Sequence, residues 1–460
     1  MAPRRLTTTA AALCRIGLLA LITSPLSASN PDTPAPSPPP AAPAADPAPQ
    51  PQPPTATNPA ATNPASPPAP ATSTSTSAAG SGPSELTDDQ CVQMLGAADF
   101  QARDRARLEL ERRGLSARAA IEAGVKSSDQ EIRRRCEVIL ASIDAADKRQ
   151  RLDQLVALAA NSTPEAIQLE AEKLKLPAWT TFARYAGTSV EARQLYRDIM
   201  TLEWNFIAQS AEQPQQAPML LTQRLDELTT TGTGIVENPS ATINAFLLSS
   251  LIAGQIADAT STRLQILVRD SSYGANTSSQ RGAPVRQLLS GWVTDVRGGM
   301  LNHFHALAVS RTYRLSEAGA ARARAIIQLD TKQGPLAGTS AMLNRQALQT
   351  LMEFGNAADV KLLQRLLDDS SVVTTTSVGG PADPNAIPAP RLVLEVRVSD
   401  LALYTALVLE GRDVRQFGFS HVPSSEARYY FDTHAGFVTD QDRQAAMRLW
   451  NERPPLDDQK

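Results

Sequence analysis

Apolar and polar positions alternate at the helical period through most of the chain, most plainly in residues 99–140. From Phe100, the small or apolar Ala102, Ala106 and Leu110 recur with arginines and glutamates between them, and Gly114 stands where a helix-ending residue belongs. Ser116 is placed to cap a second helix whose Ala117, Ala120, Ile121 and Gly124 share a narrow face of small residues, suited to close packing. Ser128 with Glu131 has the spacing of a capping box, ahead of a stripe made by Ile132, Cys136, Ile139, Leu140 and Ile143. Just upstream, Thr87 with Gln90 repeats the box and turns Cys91, Val92 and Leu95 toward the same core.

Downstream the pattern continues. Residues 152–160 extend the helical period, Thr163-Pro164 opens a helix with proline at its favoured first position, and Leu176-Pro177-Ala178-Trp179 breaks it. Thr188 with Glu191 has capping-box spacing before a helix carrying Leu195, Ile199, Leu202 and Phe206. Residues 243–257 are the most apolar stretch after the leader. They are too few for the roughly 20 that a bilayer requires and carry Asn244, Ser249, Ser250 and Gln255, which predicts a central buried helix. In 344–367, Ala347, Leu348, Leu351 and Phe354 make one stripe, Gly355 ends it, and Val360, Leu363, Leu366 and Leu367 make an antiparallel partner. Residues 371–378 and 391–396 alternate and are β-branched, predicting a small hairpin that projects from the helices near 371–396. Segments 212–218, 229–239 and 271–284 read as loops.

Asp99-Phe100 with its spaced arginines, the 176–179 turn with Phe182 and Gly187, and residues 392–403 occur in a fixed order. Phe417-Gly418-Phe419, Phe437 and Trp450 close the series. In this the chain resembles exported bacterial proteins with HEAT-like or armadillo-like repeats, over most of residues 85–452, with Ala178 where such proteins often have glycine. The resemblance implies an all-α fold, an α-solenoid in which each helix pair is covered by its neighbours, and supplies no functional residues. One helical body over 85–460 follows, with an N-terminal unit at about 85–145 and C-terminal units at about 315–452.

The first 84 residues differ in kind. Arg4, Arg5 and Arg15 precede a short apolar run at 16–22, and Ser27-Ala28-Ser29 offers small residues for cleavage, so residues 1–29 read as a signal peptide and the protein as exported, periplasmic or extracellular at the cell envelope. Residues 30–84 reduce to Pro, Ala, Thr, Ser and Asn and cannot bury a core. They read as an extended tether of polyproline character, whether a spacer or a plain leader.

The 44 basic and 47 acidic side chains give a formal net charge of −3, which argues against nucleic acid or an anionic membrane as the main partner. Arg133, Arg134 and Arg135 read as a solvated helix face. Of the three cysteines, Cys14 falls in the leader, and Cys91 and Cys136 lie on the stripes of one unit, as a bridge or as two buried thiols.

Motifs of hydrolases, metalloproteases, dithiol sites and phosphate loops are lacking, and 334–340 has neither the lysine nor the spacing of a phosphate loop. His303 and His305 are the one pair with ligand chemistry, but two residues apart on a helix they point about 200° from each other, which opposes a shared metal. His421, His434, Asp440 and Asp442 fit a loop and a helix cap. No cofactor is expected. Two readings follow: a non-enzymatic scaffold binding a protein or peptide partner, and an enzyme or polysaccharide-binding accessory with its site on the long loops. The first is preferred, because no convergent acid, base, nucleophile or ligand set is visible. Limited proteolysis should trim the chain to a core beginning near Glu85; a resistant core reaching into 30–84 would show the tether reading to be wrong.

Overall fold

The computed structural model describes residues 86–230, 238–277, 282–329, 340–378, 392–422 and 433–454. The leader (1–29) and the Pro-rich segment (30–84) lie outside them. What is described is mostly helical, with one two-stranded antiparallel hairpin. Its buried apolar residues gather in four clusters that follow one another along the chain.

The first cluster is enclosed by α1 (Asp88–Met94), α2 (Phe100–Arg113), α3 (Arg118–Gly124) and the first half of α4 (Gln130–Ala157). Thr87 and Gln90 form the expected box, at 3.3 and 2.8 Å. Gly114 ends α2 with φ 58°, a conformation glycine adopts without a Cβ penalty. Two expected caps move. Ser116 donates to the Arg113 carbonyl inside a 3-10 turn that runs directly into α3, so α3 has no free first turn to cap. At α4 the cap is Asp129 rather than Ser128, its carboxylate accepting from the Glu131 and Ile132 amides; a charged acceptor at the positive end of the helix is favoured over a hydroxyl. The small face of α3 is used as expected: a Cβ on Gly124 would collide with Cys136 Sγ and lie 2.8 Å from Val92.

Helix α4 has 28 residues, a length of about 42 Å at the α-helical rise. Its buried positions stop at Ile143 and resume at Leu152, with only exposed or half-buried residues between. One helix therefore joins two cores across a middle that no core covers.

The second cluster lies between the end of α4, α5 (Pro164–Lys173), α6 (Trp179–Ala186) and α7 (Val190–Glu212). Ala178 adopts φ 55°, the left-handed conformation that glycine would favour at this turn. Trp179, Phe182 and Tyr196 pack ring to ring beyond it, with centroids 5.0–5.7 Å apart. The α7 cap is Ser189, bonded to the Ala192 amide, rather than Thr188. On α7 the buried positions include Tyr196, Ile199, Met200, Glu203 and Ile207, whereas Leu202, expected on the stripe, is exposed.

The third cluster surrounds α9 (Pro239–Ala253), the central helix expected from sequence, in which every residue from Ala241 to Leu251 is buried. Around it stand α6, α7, α8 (Ala217–Thr230), α10 (Asp258–Val268), α11 (Ser271–Thr277) and α12 (Gly282–Asp295). Helix α11 and the start of α12 occupy most of the segment read as a loop at 271–284, and residues 278–281 lie outside the described ones. Helix α12 packs closely on α6 through Gly291, where a Cβ would run into the Tyr185 ring.

The last cluster joins α13 (Met300–Thr312), α14 (Ser316–Gln328), α15 (Ser340–Phe354), the short α16 (Val360–Leu363), the hairpin and α17 (Val398–Leu409) to α18 (Asp440–Glu452). The expected partner of α15 is one turn of α-helix between 3-10 turns, not a continuous helix; Asp359, capping the preceding turn at Asn356, is held by Arg324 at 2.6 and 3.0 Å. Strands β1 (Val372–Val378) and β2 (Leu392–Arg397) pair antiparallel, with Thr376 opposite Leu394. The base of the hairpin does not project: Leu394 and Val396 are buried, and Phe437 pairs with Glu395 at its edge. Arg443 fastens this end. It donates to both oxygens of buried Asp400 (2.7 and 3.1 Å) and to the Glu395 carbonyl (3.1 Å), while burial still pushes the Asp400 carboxyl up.

Leu351 is fully buried between α14, α15 and α17. Leu351→Ala should cost about 2–5 kcal/mol, as large-to-small changes in packed cores do. In hydrogen exchange, lost protection should spread to α14 and α17; loss confined to α15 would refute shared stability.

Candidate functional site

Among the described residues, a concavity lies beside the break in α7. At Glu203 the backbone leaves helical values (φ −122°, ψ 27°). The Glu203 side chain, 5% exposed, lies among Ile199, Met200 and Ile207 and points toward α8 and α9. An ionised carboxylate there needs partners, because burying an unpaired charge is far costlier than burying a paired one. Arg224 of α8 supplies a fork, Nε to Oε2 and Nη2 to Oε1 at 3.1 Å each, and Thr242 of α9 adds a longer contact of 3.4 Å. These bonds to Glu203 raise the guanidinium pKa of Arg224.

The following residues turn outward. Trp204 is half-buried, with the Lys148 ammonium 5.5 Å from its ring centroid, and Lys148 donates to Asn205 Oδ1 at 3.0 Å. Lys148 belongs to the uncovered middle of α4, so this contact spans a cleft of about 910 Å³ between α4 and α7–α8. Met200, Leu202, Trp204, Phe206 and Leu220 give it apolar surface. Its charged residues balance: Asp144, Glu203 and Glu227 against Lys148, Arg149 and Arg224. A half-buried tryptophan, aliphatic side chains, and amide and cationic donors in a charge-balanced groove suit an uncharged, acceptor-bearing chain more than a small ion.

The residues singled out from sequence lie elsewhere. His303 and His305 both sit on α13 and do not converge. His305 is buried, its Nδ1 within 3.1 Å of the Ser261 hydroxyl; the ring edge of His303 is sealed without a hydrogen-bond partner at Nδ1. Burial pushes both imidazoles down to about 4, aided at His303 by Arg322. They border a polar seam. Arg322 of α14 donates to the Val296 carbonyl and to Asn302 Oδ1 at 2.9 Å each, and Asn302 reaches Ser261 at 3.4 Å and the Asp258 carboxylate, through its amide, at 3.2 Å. The seam joins the α9–α10 and α12–α13 connections, where the Ile256 amide donates to the Arg297 carbonyl and the Arg297 amide to the Gly254 carbonyl. Among the described residues no three His, Cys, Asp or Glu side chains converge as a metal site. Cys91 and Cys136 share the first core as free thiols, each made harder to ionise by burial. Asp442 accompanies the cap of α18 at Thr439, and Asp440 meets Arg443.

The long loops of the second reading fall partly on 231–237 and 278–281, outside the described residues. No described helix is long and apolar enough to cross a membrane. No family model, curated protein or solved structure matches the chain.

Sequence reading passed over Glu203 and Trp204. The signal was present: Glu203 sits four residues after Ile199 and four before Ile207, a charge on an apolar stripe, where a buried ion needs a partner.

Two outcomes follow. Arg224→Met strands a buried carboxylate and should cost about 3–5 kcal/mol, whereas Glu203→Gln leaves a partly exposed arginine free to reach solvent and should cost less; equal denaturant midpoints for the two variants would refute the assignment. Both histidines have folded pKa values near 4, below the unfolded 6.5, so the neutral forms favour the fold. Their contribution is complete above pH 6.5 and is lost as pH falls from 6.5 through 4. The urea midpoint should drop from pH 7 to 5, and the drop should shrink in a His303→Phe, His305→Gln double variant.

Proposed function

We propose that this protein is an exported, non-enzymatic helical-repeat scaffold that holds a protein or peptide partner in the Trp204 cleft. The observation that carries the reading is the contrast among its four tryptophans: Trp179, Trp292 and Trp450 are at most 2% exposed, while Trp204 stands half-open in a cleft beside exposed Leu202. Such an amphipathic, low-entropy side chain is a frequent anchor of protein recognition. The repeat reading, HEAT-like or armadillo-like, is supported by buried clusters that succeed one another in chain order and by helix pairs such as α14 with α15. The enclosure of α9 and the packing of α6 on α12 go beyond neighbour-to-neighbour stacking, so the body is read as repeats closed around one shared helix. Export rests on the basic, apolar and small-residue order of the first 29 residues.

The test uses the tagged protein and its Trp204→Ala variant as baits in envelope fractions. A partner bound by the parent should be retained at least tenfold less by the variant, the loss of about 1.4 kcal/mol or more expected when an anchor is removed. Equal retention, with both proteins folded by circular dichroism, would remove the cleft from the function.

A further inference from the structure

A second concavity, at the start of α14, shares no lining residue with the Trp204 cleft. We propose that it binds a soluble phosphate monoester, a small organic molecule whose phosphate group is held by Arg184, Arg286 and Arg314.

Three helices build the site. A cavity of about 720 Å³ lies between α6, α12 and the start of α14. Cavities of about 300–1,000 Å³ are those that hold small molecules. Gly291 of α12 has no Cβ, so the Tyr185 ring of α6 lies against the helix backbone and forms part of the wall. The Arg184 guanidinium sits over that ring, 5.2 Å from its centroid. From α12, Arg286 reaches the α13–α14 connection, its Nη2 donating to the Arg314 carbonyl at 3.4 Å.

Charge selects the ligand. Arg184, Arg286 and Arg314 line the cavity against a single acid, Glu317, whereas the charges of the Trp204 cleft balance. These guanidiniums are not taken up by carboxylates. Arg286 and Arg314 form no ion pair among the described residues. Arg184 has only a 3.7 Å contact with Asp295, which already accepts from the Tyr185 hydroxyl at 2.6 Å. Glu353 of α15 lies within electrostatic range of Arg314 without pairing, and burial raises its carboxyl pKa despite Arg311 and Arg314. Helix α14 also begins here with no side-chain cap, so Arg286 stands beside the positive end of a helix, a place that favours an anion over a cation.

Geometry favours phosphate over carboxylate. Donors arriving from three helices are not confined to one plane, and a carboxylate offers only a planar pair of oxygens. A phosphate monoester presents three oxygens and a charge of about −1.5 to −2, the counterpart of three cations against one anion. The formal charge of the whole chain, −3, opposes adsorption to an anionic membrane, so the ester is a soluble one rather than a lipid headgroup. Arg314 adds an independent observation. It follows the end of α13 with φ 49°, a left-handed conformation that glycine adopts at lower cost. A guanidinium is present at this wall in spite of the backbone conformation.

Isothermal titration calorimetry of the full chain with inorganic phosphate and with glycerol phosphate tests the site, at a pH of about 8, above the second phosphate pKa of about 6. Both should bind with dissociation constants of about a millimolar or below, and acetate should bind at least about tenfold more weakly. Arg286→Gln and Arg314→Gly should each weaken glycerol phosphate binding by about tenfold or more, as loss of a charge-assisted hydrogen bond does. Arg314→Gly should do so without lowering the thermal midpoint, since it removes a side chain from a left-handed position, and Arg149→Gln, in the Trp204 cleft, should bind as the parent does. Absence of binding, acetate affinity equal to that of phosphate, or undiminished affinity in either folded arginine variant overturns the proposal. Vesicles containing phosphatidic acid should not carry the protein in flotation; flotation that Arg286→Gln abolishes would overturn the assignment of a soluble ester.

Discussion

A helix with no outward face sets the terms for the rest of this structure. Every residue of α9 from Ala241 to Leu251 is buried, including Thr242, Asn244, Ser249 and Ser250. Each polar side chain enclosed in this way must find a partner or lose its hydration without return. The partners come from different helices: Ser210 of α7 for Ser249, Tyr273 of α11 for Asn244, and the Glu203 carboxylate of α7 for Thr242, while Ser250 bonds back to the Phe246 carbonyl. Apolar contact alone would let neighbouring helices slide along α9; these bonds fix their axial positions.

The cleft is a by-product of the same requirement. Glu203 is drawn inward toward α9 and α8, the helix is irregular at that residue, and the next position, Trp204, faces out. The inner end of the arrangement is a buried carboxylate paired with Arg224 and the outer end is a half-buried aromatic ring. Stability and recognition are thus linked through adjacent residues of one irregular turn.

Much of the fold was legible in the chain. The stripes on α2, α3 and α4 and the enclosed helix at 243–253 follow from periodicity, because apolar burial is the strongest local signal. The hairpin's strands follow from β-branched alternation, but its buried base does not, since Phe437 reaches it from more than 40 residues away. Two caps were legible to within one residue, Asp129 displacing Ser128 and Ser189 displacing Thr188, because several polar residues in a row compete for the same amides, whereas the cap expected at Ser116 is absent, the helix there following directly on a 3-10 turn. The cleft was not legible as a site. Its two walls, around Lys148 and Trp204, belong to separate helices, and only their meeting gives either residue its setting. The histidine pair drew attention by chemistry, yet on a helix its members diverge into a seam and a sealed edge.

The uncovered middle of α4 carries a mechanical consequence. Eight residues, Asp144 to Arg151, pass between two cores without a buried side chain, a free length of about 12 Å. Over that length the helix works as a strut rather than as part of a wall. From that length of helix, Lys148 reaches across the cleft to Trp204 and Asn205. The position of the α4 wall is therefore set by the two cores at the ends of the strut, so that a substitution in either core can alter the cleft without touching its lining.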